Sequence, residues 1–175
     1  MKGNIEHLRA TVAFELLSIC RDIAEQQCKG FFAPEALPEV FSEKDARAWA
    51  EKKSQEELAG IEELAGGDVA RFQFANGIEN TSAGRGLPQA GEPSDWAPVS
   101  RKPNDGSVFF VLYSLYAQVA LRDCRREGVR FEDVYPGEDG DDMLREWAKQ
   151  RSERLTNEIA SIVNDRFDAW KEARA

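Results

Sequence analysis

Residues 107–127 read SVFFVLYSLYAQVALRDCRRE, and no other stretch constrains the fold as strongly. Between 108 and 121 only Ser114 and Gln118 are polar. They lie four residues apart and line up with Arg122, which on a helix leaves one narrow polar edge. A helix that is apolar around nearly its whole circumference must be enclosed by other helices. The run is also too short to cross a bilayer, which takes about 20 apolar residues. The sequence therefore predicts a central helix, capped at its start by Asn104, Asp105 or Ser107.

The helices that would enclose it are legible on either side. Over residues 4–28, Ile5, Leu8, Val12, Leu16, Ile19 and Ile23 follow a 3,4 spacing, and Ala13, Leu17, Cys20 and Ala24 widen the stripe to face two neighbours. Gly30 marks its end. Residues 31–41 form a connector, limited by Pro34 and Pro38, with Phe31, Phe32 and Phe41 expected to pin it to the core. Ser42 and Asp45 open the second helix as a capping-box-like pair. Its middle, EKKSQEE, is wholly polar, which predicts a surface helix, and Gly66–Gly67 predict its end. A short helix follows, with Asp68 as N-cap and Gly77 as C′; the alternation of Phe72 and Phe74 also fits a short strand.

The last helix, from about Asp141 to Ala173, carries Met143, Leu144, Trp147, Leu155, Ile159, Ile162, Val163, Phe167 and Trp170 at helical period. A rod of that length is about 50 Å long. Its middle, KQRSERL, is polar on every face, so the helix is expected to leave the core there and project. The fold class expected is all-α: a single-domain helical bundle of four main helices with a long irregular loop between the second and third and a long C-terminal helix.

That loop, residues 76–106, holds five Gly and four Pro and has no period. Within it GRGLPQAG superficially resembles a dinucleotide fingerprint, but the spacing is wrong, Pro88 interrupts it, and neither strand nor helix frames it. The loop is read as an excursion within one domain, anchored by Trp96 and, less strongly, by Leu87 and Val99.

Charge and chemistry narrow the function. The formal net charge is −9, so coating of nucleic acid is disfavoured and a solvated acidic surface or a basic partner is favoured. The N-terminus places Glu6, His7 and Arg9 where a signal peptide would be apolar, and a cytoplasmic protein is expected. Cys20, Cys28 and Cys124 have no metal-ligand spacing and read as buried thiols. His7 is the sole histidine, so no catalytic triad or HExxH site is available. Residues 132–146 place no carboxylates at the first positions of a calcium loop; Asp139, Asp141 and Asp142 read instead as acids at a helix N-terminus. No cofactor and no metal site is expected.

One basic cluster stands out. Arg122, Arg125, Arg126 and Arg130 sit at the end of the central helix, and Arg85, Arg101 and Lys102 add charge from the loop. With Trp96 these are the candidate partner-binding residues, an anion or acidic-partner clamp. The alternative is intramolecular pairing with the acidic segment 132–142.

The leading expectation is a non-enzymatic interaction protein: an adaptor, inhibitor or assembly component that binds another protein or self-associates through its C-terminal helix. A second reading is a carboxylate-dependent magnesium hydrolase. All-α nucleoside triphosphate pyrophosphohydrolases hold magnesium with carboxylates on facing helices, and Glu56, Glu57, Glu62 and Glu63 followed by an apolar helix are in that order. The similarity stops there, because the second acidic motif is absent from residues 108–121 and the nearest ExxD is Glu92–Asp95, inside the loop.

Overall fold

The structure, a computed structural model, describes residues 2–30, 42–77 and 105–175. The connector with its three phenylalanines, and most of the long loop, lie outside the described residues. Five helices are described: α1 (Lys2–Gly30), α2 (Glu43–Ala75), α3 (Asp105–Glu127), α4 (Phe131–Val134) and α5 (Gly137–Arg174). The chain is all-α, with no strand among the described residues. The residues that admitted a short strand, Phe72 and Phe74, are helical.

α3 is the hub. Every residue from Val111 to Leu121 is buried, and the helix packs against α1, α2 and α5. Ser114 and Gln118 are buried with the rest, and only Arg122 of the expected polar edge reaches solvent. α1 presents the anticipated stripe, with Ile5, Leu8, Val12, Leu16, Ile19, Cys20 and Ala24 in the core. Arg9–Glu51 and Arg21–Glu43 set α1 antiparallel to α2. Asp45–Arg166, Lys53–Glu158 and Glu57–Arg151 set α2 antiparallel to α5.

Three expectations are corrected. First, α2 does not end at Gly66–Gly67. It runs on through both glycines to Ala75, because Ala65, Asp68 and Val69 continue its buried face on either side. Two glycines cost a helix about 2 kcal/mol relative to alanines, which packing on both flanks offsets. The stop comes at Gly77, in the left-handed region at φ +62°, where Asn76 forms the cap. Ser42 caps the other end, accepting from the Asp45 N–H at 3.1 Å.

Second, α2 is not a surface helix in its middle, where Ser54 and Glu57 are buried. Third, α5 does not leave the core at residues 149–155. Its buried face runs Gly140, Leu144, Ala148, Ser152, Leu155, Ile159, Val163 and Phe167 without a gap. The two polar stretches face each other. Arg151 donates from Nε to Glu57 Oε2 at 2.7 Å and from Nη2 to Oε1. Lys53 meets Glu158 at 3.0 Å. Each stretch is polar because the other is.

Candidate functional site

The end of the bundle where α2, α3 and α4 meet concentrates the polar chemistry. Continuing α2 past its glycines carries Asp68 into the interior, 8% exposed. Its Oδ2 accepts from Tyr116 Oη of α3 at 2.5 Å and from Tyr135 Oη, just after α4, at 2.7 Å. Its Oδ1 accepts from Arg71 Nη2, one turn further along α2. A carboxylate out of water is costly unless its lone pairs are filled, and here three donors fill them. Tyr116 also meets Trp147 edge to face at 5.0 Å.

Tyr135 is held from behind by a glycine. A Cβ on Gly140 would lie 2.3 Å from the Tyr135 carbonyl carbon and 2.6 Å from its oxygen. Gly137, at φ +55°, turns the chain into α5. Between these groups lies a cavity of about 70 Å³ lined by Tyr113, Phe131, Tyr135, Asp141 and Leu144. That is room for one or two waters at about 30 Å³ each. Tyr113 donates to Asp141, and Arg145 holds the same carboxylate at 2.6 Å.

Protonation in this region is fixed rather than poised. Burial, and then the hydrogen bond to Asp141, pushes the Tyr113 phenol up to about 12. Burial and the hydrogen bond to Asp68 push Tyr116 and Tyr135 up as well. Burial raises both Cys20 and Cys124 to about 12. Thiols shifted that way are poor nucleophiles near neutral pH.

The arginine cluster at the end of α3 is brought together as the sequence suggests, though chiefly with different partners. Arg122 donates from Nε and Nη2 to Asp123 Oδ1 at 3.1 and 2.9 Å and reaches Glu62 of α2 at 3.4 Å. Arg126 meets the same Asp123 oxygen at 3.4 Å. Arg130 pairs with Glu132 at 3.8 Å, so one residue of the acidic segment 132–142 does take part. Arg125 is half-buried and engaged. Asp123 is itself buried, so two arginines are anchored from below. Arg85, Trp96, Arg101 and Lys102 lie outside the described residues.

Beside Arg126 runs a groove of about 190 Å³ between α2 and α3, lined by Gly66, Val69, Ala70, Gln73, Asp123 and Glu127. Phe74 follows Ala70 by four residues on the same side of α2 and is 91% exposed. Sequence reasoning missed Arg71, Phe74 and this groove. The i,i+3 spacing of Asp68 and Arg71 was the available signal, hidden by reading Asp68 as the cap of a separate helix.

The four acids of the hydrolase reading do not converge. Glu57 is buried on Arg151, Glu56 pairs with Lys53, Glu62 pairs with Arg122, and Glu63 is exposed. Among the described residues, no three His, Cys, Asp or Glu side chains are grouped to hold a metal ion. No helix among them is long and apolar enough to cross a membrane. Compared with protein-family models, curated proteins and solved structures, the chain matches none.

Proposed function

We propose that this protein is a non-enzymatic interaction module, an adaptor, inhibitor or assembly component, whose contact face is the groove between α2 and α3. The observation that carries the reading is Phe74, 91% exposed, one helical turn from Arg71, which is paired with the buried Asp68, and at the edge of the groove lined by Arg126, which is held on the buried Asp123. Aromatic and arginine side chains supply most of the energy at protein contacts. A guanidinium fixed before binding loses less freedom on pairing with a partner's carboxylate. The partner chemistry that fits is a protein surface with an apolar seat flanked by acid.

Affinity purification from the native host, with wild type and Phe74→Glu compared, tests this. A partner that stays with wild type and is lost at least about tenfold with the variant supports the face; a partner held equally by both sinks it. Nucleotide turnover with Mg²⁺ that disappears in Glu56→Gln or Glu63→Gln would instead establish the hydrolase reading.

A further inference from the structure

Residues 129–136 form a strap between the end of α3 and the start of α5. A glycine in the left-handed region stands at each end of it, Gly128 at φ +68° and Gly137 at φ +55°. From Arg130 to Tyr135 the backbone hydrogen bonds stay inside the strap. The N–H groups of Asp133 and Val134 donate to the Arg130 carbonyl at 3.1 and 3.3 Å, and Tyr135 N–H donates to the Phe131 carbonyl at 2.9 Å. Bonds to the neighbouring helices come at the two ends, from Val129 N–H to the Cys124 carbonyl at 3.0 Å and from Gly140 N–H to the Pro136 carbonyl at 2.9 Å. Arg130 pairs with Glu132, and the Phe131 and Tyr135 rings lie 5.0 Å apart. The strap therefore carries its own local structure.

What the strap covers is set apart from the main core. Val129 closes a small cluster with Val69 of α2 and Cys124 of α3. Phe131 and Val134 flank both this cluster and the main core, and Tyr135 is the strap's buried member of the latter. Tyr135 is seated there by its bond to Asp68 and its edge contact with the Tyr116 ring. The cavity of about 70 Å³ beside Phe131 and Tyr135 leaves that seat incompletely filled, which forfeits packing contacts. We propose that the strap is a hinged flap. It swings as one unit about Gly128 and Gly137, withdrawing Tyr135 from Asp68 and uncovering Val69 and Cys124, while the four long helices stay packed. Hinges of this kind are a few residues at element ends that absorb the φ/ψ change. Asp68 keeps Tyr116 and Arg71 as donors when the flap opens, so no buried carboxylate is left bare. Val69 also lines the α2–α3 groove, so opening extends the apolar floor of that groove. The inference goes beyond the contact-face reading and does not depend on it.

Two thiols make the test. Cys124 lies under the strap and Cys20 lies on α1 in the main core, each 1% exposed. Labelling with N-ethylmaleimide, followed by peptide mass mapping, times the two separately in the intact chain across a urea series. Cys124 should label at least about tenfold faster than Cys20, because local opening is more frequent than global unfolding. Its urea dependence should be the shallower, because opening exposes less surface. Ile159→Val changes the main core about 33 Å along α5 from Gly137. It should speed Cys20 several-fold and leave Cys124 unchanged. Tyr135→Phe loosens the strap itself and should speed Cys124 by about fivefold to tenfold. Equal rates and equal urea slopes for the two thiols overturn the inference. So does Cys124 labelling that rises with Ile159→Val as Cys20 does, or that ignores Tyr135→Phe.

Discussion

Two carboxylates lie on the buried face of α2, eleven residues apart, and they are satisfied in different ways. Glu57 is met by Arg151, a full counter-charge reaching from α5 with its outer edge in solvent. Asp68 is met in the interior by two phenols, and its one cation, Arg71, sits outside. The first arrangement ties two long helices together by charge. The second ties α2, α3 and the segment after α4 together by hydrogen bonds from uncharged phenols to one carboxylate. Breaking a buried charge pair leaves an uncompensated ion, which costs more than removing one neutral donor of several. The middle of the bundle therefore depends on one pair, and the end on shared satisfaction.

The largest effect should come from the wall behind the second arrangement. Gly140→Ala would drive a methyl group into the Tyr135 backbone, which cannot swing aside as a flexible side chain would. We expect a loss of about 3–4 kcal/mol by urea unfolding, with Tyr135 displaced from Asp68. A Gly140→Ala protein of wild-type stability would mean that the Tyr135 seat is not rigid and that the shared arrangement tolerates movement.

Arg151→Ala comes next, at about 3 kcal/mol, because Glu57 stays buried without its partner. The double replacement Glu57→Leu with Arg151→Met should return to within about 1 kcal/mol of wild type, since apolar pairs of similar volume often match a buried ion pair. If the double variant is as unstable as Arg151→Ala, the pair contributes more than mutual satisfaction.

This pair also shows where sequence reading reaches its limit. The α3 hub, the α1 stripe, the Ser42 cap, the Gly77 stop and the apolar positions of α5 were all visible in the sequence, because each depends on a residue and its neighbours within one helix. The polar middles of α2 and α5 were misread because each was judged alone, and a lone polar stretch looks solvated. Only pairing in space shows Glu57 and Arg151 to be interior. The candidate site divides likewise. The α3 arginines were legible as a local cluster, whereas Asp123 and Glu62 as their partners, the Asp68 network and the role of Gly140 depend on contacts between helices.

Tyr135→Phe removes one donor from Asp68 and leaves Tyr116 and Arg71, so it should cost only about 1–2 kcal/mol. Tyr116→Phe should cost about the same, and the double variant more than the sum, because the last buried donor carries the most. The same phenols set the alkaline limit. The protein has three tyrosines, and burial raises all of them above the ordinary value of 10 in the folded state, Tyr113 to about 12. Groups raised on folding stabilise fully below their unfolded value and lose that contribution as pH rises toward the folded one. Stability should therefore fall above pH 10, by up to about 1.4 kcal/mol per pH unit for each phenol still protonated only in the fold. Cys20 and Cys124 add to the same fall from about pH 9, their ordinary value. Phenolate absorbance should appear together with unfolding. A tyrosine that ionises near pH 10 in the intact fold would contradict its placement on a carboxylate.

The smallest effect bears on how α2 reaches Asp68 at all. The helix crosses Gly66 and Gly67, where a Cβ at the first meets nothing within 4 Å and at the second only Arg71 Nη1 at 3.9 Å. Alanine at either position should stabilise by about 0.5–1 kcal/mol, by raising helix propensity and restricting the unfolded chain. The same change narrows the α2–α3 groove, since Gly66 lines it and Gly67 does not. Gly67→Ala should therefore raise thermal stability and leave partner binding untouched, whereas Gly66→Ala should raise stability while weakening binding. Equal binding by both variants would place the contact on Phe74 and the arginines alone, with the groove floor playing no part.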